Sequence, residues 1–180
     1  MQKLIVCFGA ILCFTLGSLG CGKKDPSEKG GADAAARAKT AEAIDHIDKL
    51  SKAASMYFTS ARVSPDGAML PCQFPKTVAC TPAANPCASP NKRFRASAKA
   101  WTHPTWSALM FQMGAEHYYQ YCFESGGTGA NAKAIITAHG DLDCDGTKST
   151  FSRTITGEVG ATSRDCNAAA GDLKVVDRLE

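Results

Sequence analysis

Apolar and polar positions change rhythm several times along this chain. After Met1-Gln2-Lys3, an almost unbroken apolar run extends from Leu4 to Leu16 and closes in small residues at Gly17-Ser18-Leu19-Gly20, just before Cys21. From Gly22 to Ala38 there is no large apolar side chain. Such a stretch buries too little to offset its ordering entropy, so a flexible tether is predicted there. Helical periodicity then sets in over Asp33 to Arg62, with Ile44, Ile47, Leu50, Ala54, Phe58 and Ala61 at steps of three and four. Asp45, Asp48, Lys49 and Lys52 take the opposite face, and Pro65-Asp66-Gly67 stops the helix. Between 64 and 104 the periodicity vanishes and seven of the eight prolines fall there, interleaved with Cys72, Cys80 and Cys87. A connection this long is uncommon in a compact domain unless it is stapled. Alternation follows. His117 to Glu124 places Tyr119, Tyr121 and Phe123 on one face, Lys133 to His139 centres on Ile135 and Ile136, and Thr150 to Thr156 pairs Phe151 with Ile155. Strands joined by the short turns Ser125–Gly129 and Asp141–Gly146 make an antiparallel meander. One apolar helix stripe and one apolar sheet face pack on each other, which predicts an α+β fold. The Ala- and Asp-rich tail is expected to be stapled to the body by Cys166.

The order of amine, apolar core and small residues before Cys21 reads as a secretory signal peptide, and the core is short for a bilayer span. Ser18-Leu19-Gly20-Cys21 resembles the lipobox of bacterial lipoproteins, with Ser18 where that family usually has Leu. The resemblance implies cleavage before Cys21 and acylation of its thiol and amine, an effectively permanent anchor at about 0.8 kcal/mol per buried CH2. An ordinary signal peptide cut near Gly20 and a retained membrane helix are the alternatives. The resulting division is 1–20 signal peptide, 21–39 lipidated Cys and tether, and 40–180 head. Gly22 after the Cys is similar to lipoproteins sent on to the outer membrane.

Composition narrows the class. Of nine cysteines, Cys7 and Cys13 leave with the signal peptide and Cys21 carries the anchor. The remaining six, Cys72, Cys80, Cys87, Cys122, Cys144 and Cys166, form an even set that reads as a disulfide framework in an exported domain. Six cysteines allow about 15 pairings. A bridge inside the Pro-rich segment, Cys72 to Cys80 or Cys87, is the expectation. Zinc would want closer Cys-x2-Cys knuckles. Cleavage removes only Lys3 and leaves 19 basic against 17 acidic residues. That balance is not the footprint of a nucleic-acid binder. The densest basic stretch, Asn91-Lys92-Arg93-Phe94-Arg95, reads as a solvated loop.

Candidate chemistry is sparse. Asp141-x-Asp143-x-Asp145-Gly146 matches the first half of a calcium loop, with three carboxylates at alternate positions and a Gly for the sharp turn. Position 12 is Ser152 rather than Glu, so a further ligand such as the Thr147 carbonyl would be needed. An Asp/Gly hairpin turn that binds nothing is the competing reading. His46, His103, His117 and His139 stand in no catalytic motif and read as surface or strand-end residues. Trp101, Trp106 and Tyr118 read as core under the loop, with a sugar or peptide site as the alternative.

Several stretches occur in an order that resembles type IV pilin heads of the myxobacterial kind. Ser51–Phe58 followed by Leu70-Pro71-Cys72-Gln73-Phe74-Pro75 looks like a pilin helix end and αβ-loop. Trp101–Leu109, Tyr118–Tyr121 and Gly140–Thr147 continue it. The resemblance covers roughly residues 40–157. It implies a long N-terminal helix on a small antiparallel meander, with the Pro-rich segment as αβ-loop. Phe14-Thr15-Leu16 echoes the pilin start, but Ser18 stands where the assembly Glu would be, and the apolar segment ends at Cys21. The combination implies a non-enzymatic, lipid-anchored envelope protein with a binding or assembly role at the periplasmic or outer face. A pseudopilin or minor-pilin component of a type IV pilus or type II secretion system is the alternative, with those machines as partners. A secreted hydrolase comes third.

Overall fold

The computed structural model describes residues 26–158 and 165–180 of the 180-residue chain. It contains a helix packed on an antiparallel sheet, as the periodicities predict. Helix α1 runs Pro26–Thr59. Its buried stripe is Ala43, Ile47, Leu50, Ala54 and Phe58, none with any exposed surface. Ala43 takes the place expected of Ile44, which is half-buried, and Ala61 lies past the helix end, exposed. The helix stops short of Arg62 because the Ser60 hydroxyl and N–H and the Thr59 hydroxyl all donate to the Met56 carbonyl. These bonds satisfy the last turn from within. At the other end, the stretch read as a tether is helical from Pro26, and residues 33–38 are exposed apart from half-buried Ala36. Ala34-Ala35-Ala36-Arg37-Ala38 supply helix propensity there without a stripe to bury, while Gly30-Gly31 oppose it.

The strands are β1 Val78–Thr81, β2 Gln120–Gly126, β3 Lys133–Gly140, β4 Ser149–Gly157, β5 Ala168–Ala170 and β6 Lys174–Val176. Their order is β1-β2-β3-β4-β5, with β6 also on β4, and all neighbours run antiparallel. Cross-strand register stacks Tyr121, Ala138 and Phe151 in one row, and Phe123, Ile136 and Arg153 in the next. This is the face under α1. Arg153 reaches from it to Asp48 on the helix. The short helix α2, Pro104–Ala108, brings fully buried Trp106 to the same core, where its indole N–H donates to Thr81 Oγ1 at 3.0 Å.

Three departures from the sequence reading have physical causes. The strand expected from His117 starts its ladder at Gln120, because the N–H groups of Tyr118 and Tyr119 donate to the Glu42 carboxylate of α1 at 3.0–3.2 Å. His117 instead pairs with Phe94 across an isolated bridge. The Pro-rich segment is not structureless, for it contributes edge strand β1, α2 and short 3-10 turns at Pro86–Ala88 and Ala98–Trp101. The Ala/Asp tail supplies β5 and β6 at the opposite edge. The β2–β3 connection is a glycine turn as expected. Gly127 has φ +71°, and a Cβ there would lie 2.1 Å from the Asn131 carbonyl oxygen.

Candidate functional site: a groove beside the edge strand

The six cysteines predicted as a framework form three bridges, Cys72–Cys166, Cys80–Cys122 and Cys87–Cys144. No bridge closes within the Pro-rich segment, so the expected Cys72 link to Cys80 or Cys87 is corrected. Cys80 sits on β1 opposite the outer face of β2, where Cys122 is its neighbour. Cys87 lies in a 3-10 turn capped by Asn85, whose Oδ1 accepts the Cys87 N–H at 2.9 Å, and meets Cys144 in the Asp-rich turn. Each loop cysteine therefore ties the segment to a different part of the body. Cys166 staples the tail, as expected.

This framework holds open a groove of about 910 Å³ along β1. Five consecutive residues, Thr77 to Thr81, line it. Alternate strand side chains point to opposite faces, so a cavity that touches every residue runs along the strand's edge. β1 is the terminal strand of the sheet, and among the described residues no strand pairs on that side. Pro82, Phe94 and Ala100 give the groove an apolar floor, and Arg93 and Arg95 are its charged residues. Arg93 donates to the Tyr118 hydroxyl at 2.5 Å and lies over that ring at 4.7 Å. Arg95 is exposed, and no carboxylate among the described residues lies within ion-pair distance of it. Between Gly67 and Ala115 the chain has five basic residues, Lys76, Lys92, Arg93, Arg95 and Lys99, and no acidic one. That charge asymmetry was the sequence signal for the groove.

The other predicted residues are placed as follows. Asp141, Asp143 and Asp145 each bring a carboxylate oxygen within 4.8 Å of the others, so the predicted convergence is formed. The same carboxylates accept the N–H groups of Cys144, Asp145, Gly146 and Thr147. That bonding closes the turn without an ion, yet leaves Oδ2 of Asp143 and Asp145 without a donor among the described residues. Trp101 and Trp106 are core, as expected, and Tyr118 is half-exposed beneath Arg93 and Lys39. His117, expected to open a strand, is fully buried, and His46, expected on the polar face of the helix, is half-buried. His46 packs edge-on to Phe111 and Tyr121, and His117 stacks on Phe94. Burial lowers the pKa of both and of His139. His103 caps α2 through Nδ1, and His139 Nδ1 meets Thr150 Oγ1 at 2.9 Å. Among the described residues no carboxylate hydrogen-bonds any of the four. Glu42 escaped the sequence reading, because nothing local marks a helix Glu as the acceptor for a distant strand. Burial raises its pKa and the two N–H donors oppose that rise.

The segment expected to be a signal peptide, residues 1–20, and the expected lipid-bearing Cys21 lie outside the described residues, and no helix among those described is long and apolar enough to cross a membrane. No protein-family profile, curated protein or solved structure matches the chain.

Proposed function

We propose that this chain is a non-enzymatic, lipid-anchored envelope protein whose pilin-like head works as a binding module. Cys21 carries the lipid, the polar start of α1 stands the head off the membrane, and the groove beside β1 is the working surface. The observation that carries the reading is the open, apolar-floored groove held by three bridges that all reach out of the Pro-rich segment. A rigid concave surface with few polar groups is the usual form of a recognition site. A disulfide framework fits an oxidising compartment. The helix-on-meander layout supports a pilin-like head, and with it the second reading, a pseudopilin-type component of a pilus or secretion machine.

The test is fractionation of native cells with metabolic labelling by an alkyne fatty acid. Wild-type protein should label and sediment with outer membrane, and Cys21→Ser should lose the label and become soluble. An unlabelled wild-type protein that leaves the membrane at high salt would defeat the anchored reading.

A further inference from the structure

We propose that the groove beside β1 takes an extended acidic segment of another protein, laid along the free edge of the sheet. This rests on the binding reading above and adds its occupant. An edge strand presents unpaired N–H and C=O groups, and an extended polypeptide is the ligand whose backbone satisfies them in series. β1 offers a short row, in which the Ala79 carbonyl already accepts the Thr81 hydroxyl at 3.2 Å. A bulge separates Val78 from Thr81, and Pro82, which has no N–H, closes one end. Backbone pairing alone would therefore be weak, and side chains must supply the rest.

The groove has two kinds of surface for them. An extended segment points alternate side chains in opposite directions. One set can rest on the apolar floor at Pro82, Phe94 and Ala100, and the other can meet Arg93 and Arg95. Arg93 is oriented by Tyr118, while Arg95 has no carboxylate of its own among the described residues. A planar guanidinium pairs a carboxylate through two parallel hydrogen bonds. The chain from 67 to 115 carries five cations and no carboxylate, and the adjacent Glu116 is engaged by the Asn91 amide at 2.6 Å, so a basic segment would be repelled by Arg93 and Arg95 and a neutral one would gain nothing from them. The charge complement is thus an acidic segment with apolar residues at alternate positions.

The probe is a fluorescein-labelled nonapeptide alternating Glu and Val, titrated by anisotropy into the oxidised protein lacking residues 1–20. Peptides alternating Gln and Val or Lys and Val, and a Glu/Val peptide N-methylated at every second amide, are the controls. The Glu/Val peptide should bind about tenfold or more tightly than the Gln/Val one, and its advantage should shrink at high salt. Arg95→Glu should abolish that advantage while thermal unfolding stays unchanged, because the side chain is exposed. The N-methylated peptide should lose binding. Equal or tighter binding of the Gln/Val or Lys/Val peptide would overturn the acidic occupant yet leave the groove a binding surface. Undiminished binding of the N-methylated peptide would overturn the edge placement. Failure of every peptide to bind would overturn the docking itself, and fatty-acid labelling at Cys21 would still decide the anchor separately.

Discussion

Removing the Cys72–Cys166 bridge should loosen the tail and cost a substantial part of the stability margin of a domain this size. The two cysteines are 94 residues apart. With the other two bridges intact, the covalent route is shorter, running from Cys72 to Cys87, across to Cys144 and on to Cys166. That path is about 37 residues, and the loop-entropy relation assigns it roughly 3.9 kcal/mol, against about 4.7 for the full separation. The first figure is the relevant one, since the bridges share the same chain. A domain stable by about 5–15 kcal/mol would survive the loss but with a visibly lower midpoint. For about 150 residues, this corresponds to a fall in Tm of about 10–15 °C. The variant is the pair Cys72→Ala and Cys166→Ala, which leaves no unpaired thiol. Urea unfolding followed by the fluorescence of buried Trp101 and Trp106 reads the change. A loss under about 1 kcal/mol with an unchanged m-value would refute the reasoning, for the bridge would then not constrain the unfolded chain.

Glu42→Ala should destabilise by about 2–3 kcal/mol, since the N–H groups of Tyr118 and Tyr119 lose their acceptor. Glu42→Gln keeps an oxygen there and should cost less in the same urea titration. Burial lowers the pKa of His46, His117 and His139, so folding favours their neutral forms. Their contribution is complete above about pH 6.5 and is lost as pH falls through the folded values. The raised pKa of Glu42 acts the other way, favouring the fold at low pH and giving that up as pH rises past the ordinary carboxylate value. Three histidines against one carboxylate should make the urea midpoint lower at pH 5.5 than at 7.5. His117→Phe should flatten the dependence; identical wild-type midpoints would contradict it. Gly157→Ala should destabilise by about 2 kcal/mol or more, because its Cβ would lie 2.1 Å from the Gly129 carbonyl oxygen and 3.0 Å from Phe58. A thermal shift within 2 °C would show that this approach is looser than described.

Local pattern made the central elements legible. Tyr119, Tyr121 and Phe123 declare a buried strand face by alternation, and Ile47, Leu50, Ala54 and Phe58 declare a helix stripe by spacing. What stayed hidden depends on partners far along the chain. Val78-Ala79-Cys80-Thr81 is too short and too close to Pro82 to announce a strand, and becomes one only because β2 offers an edge. The cysteine pairing could not be read because Cys80 and Cys122 meet through sheet register, and Cys87 and Cys144 through two turns folded together. His117 looked like the start of a strand, yet the Glu42 carboxylate takes the next two N–H groups and moves that start to Gln120. The basic character of 67–115 was visible in composition, but its meaning needed the groove that gathers Arg93 and Arg95.

Intact-mass spectrometry of the protein from its native membrane fraction, with and without reduction before alkylation, tests the account most directly. The expected mass begins at an acylated Cys21, takes up no alkylating agent before reduction and six equivalents after it. An unacylated mass that begins well before Cys21, or free thiols in the unreduced head, would contradict the anchored, three-bridge protein described.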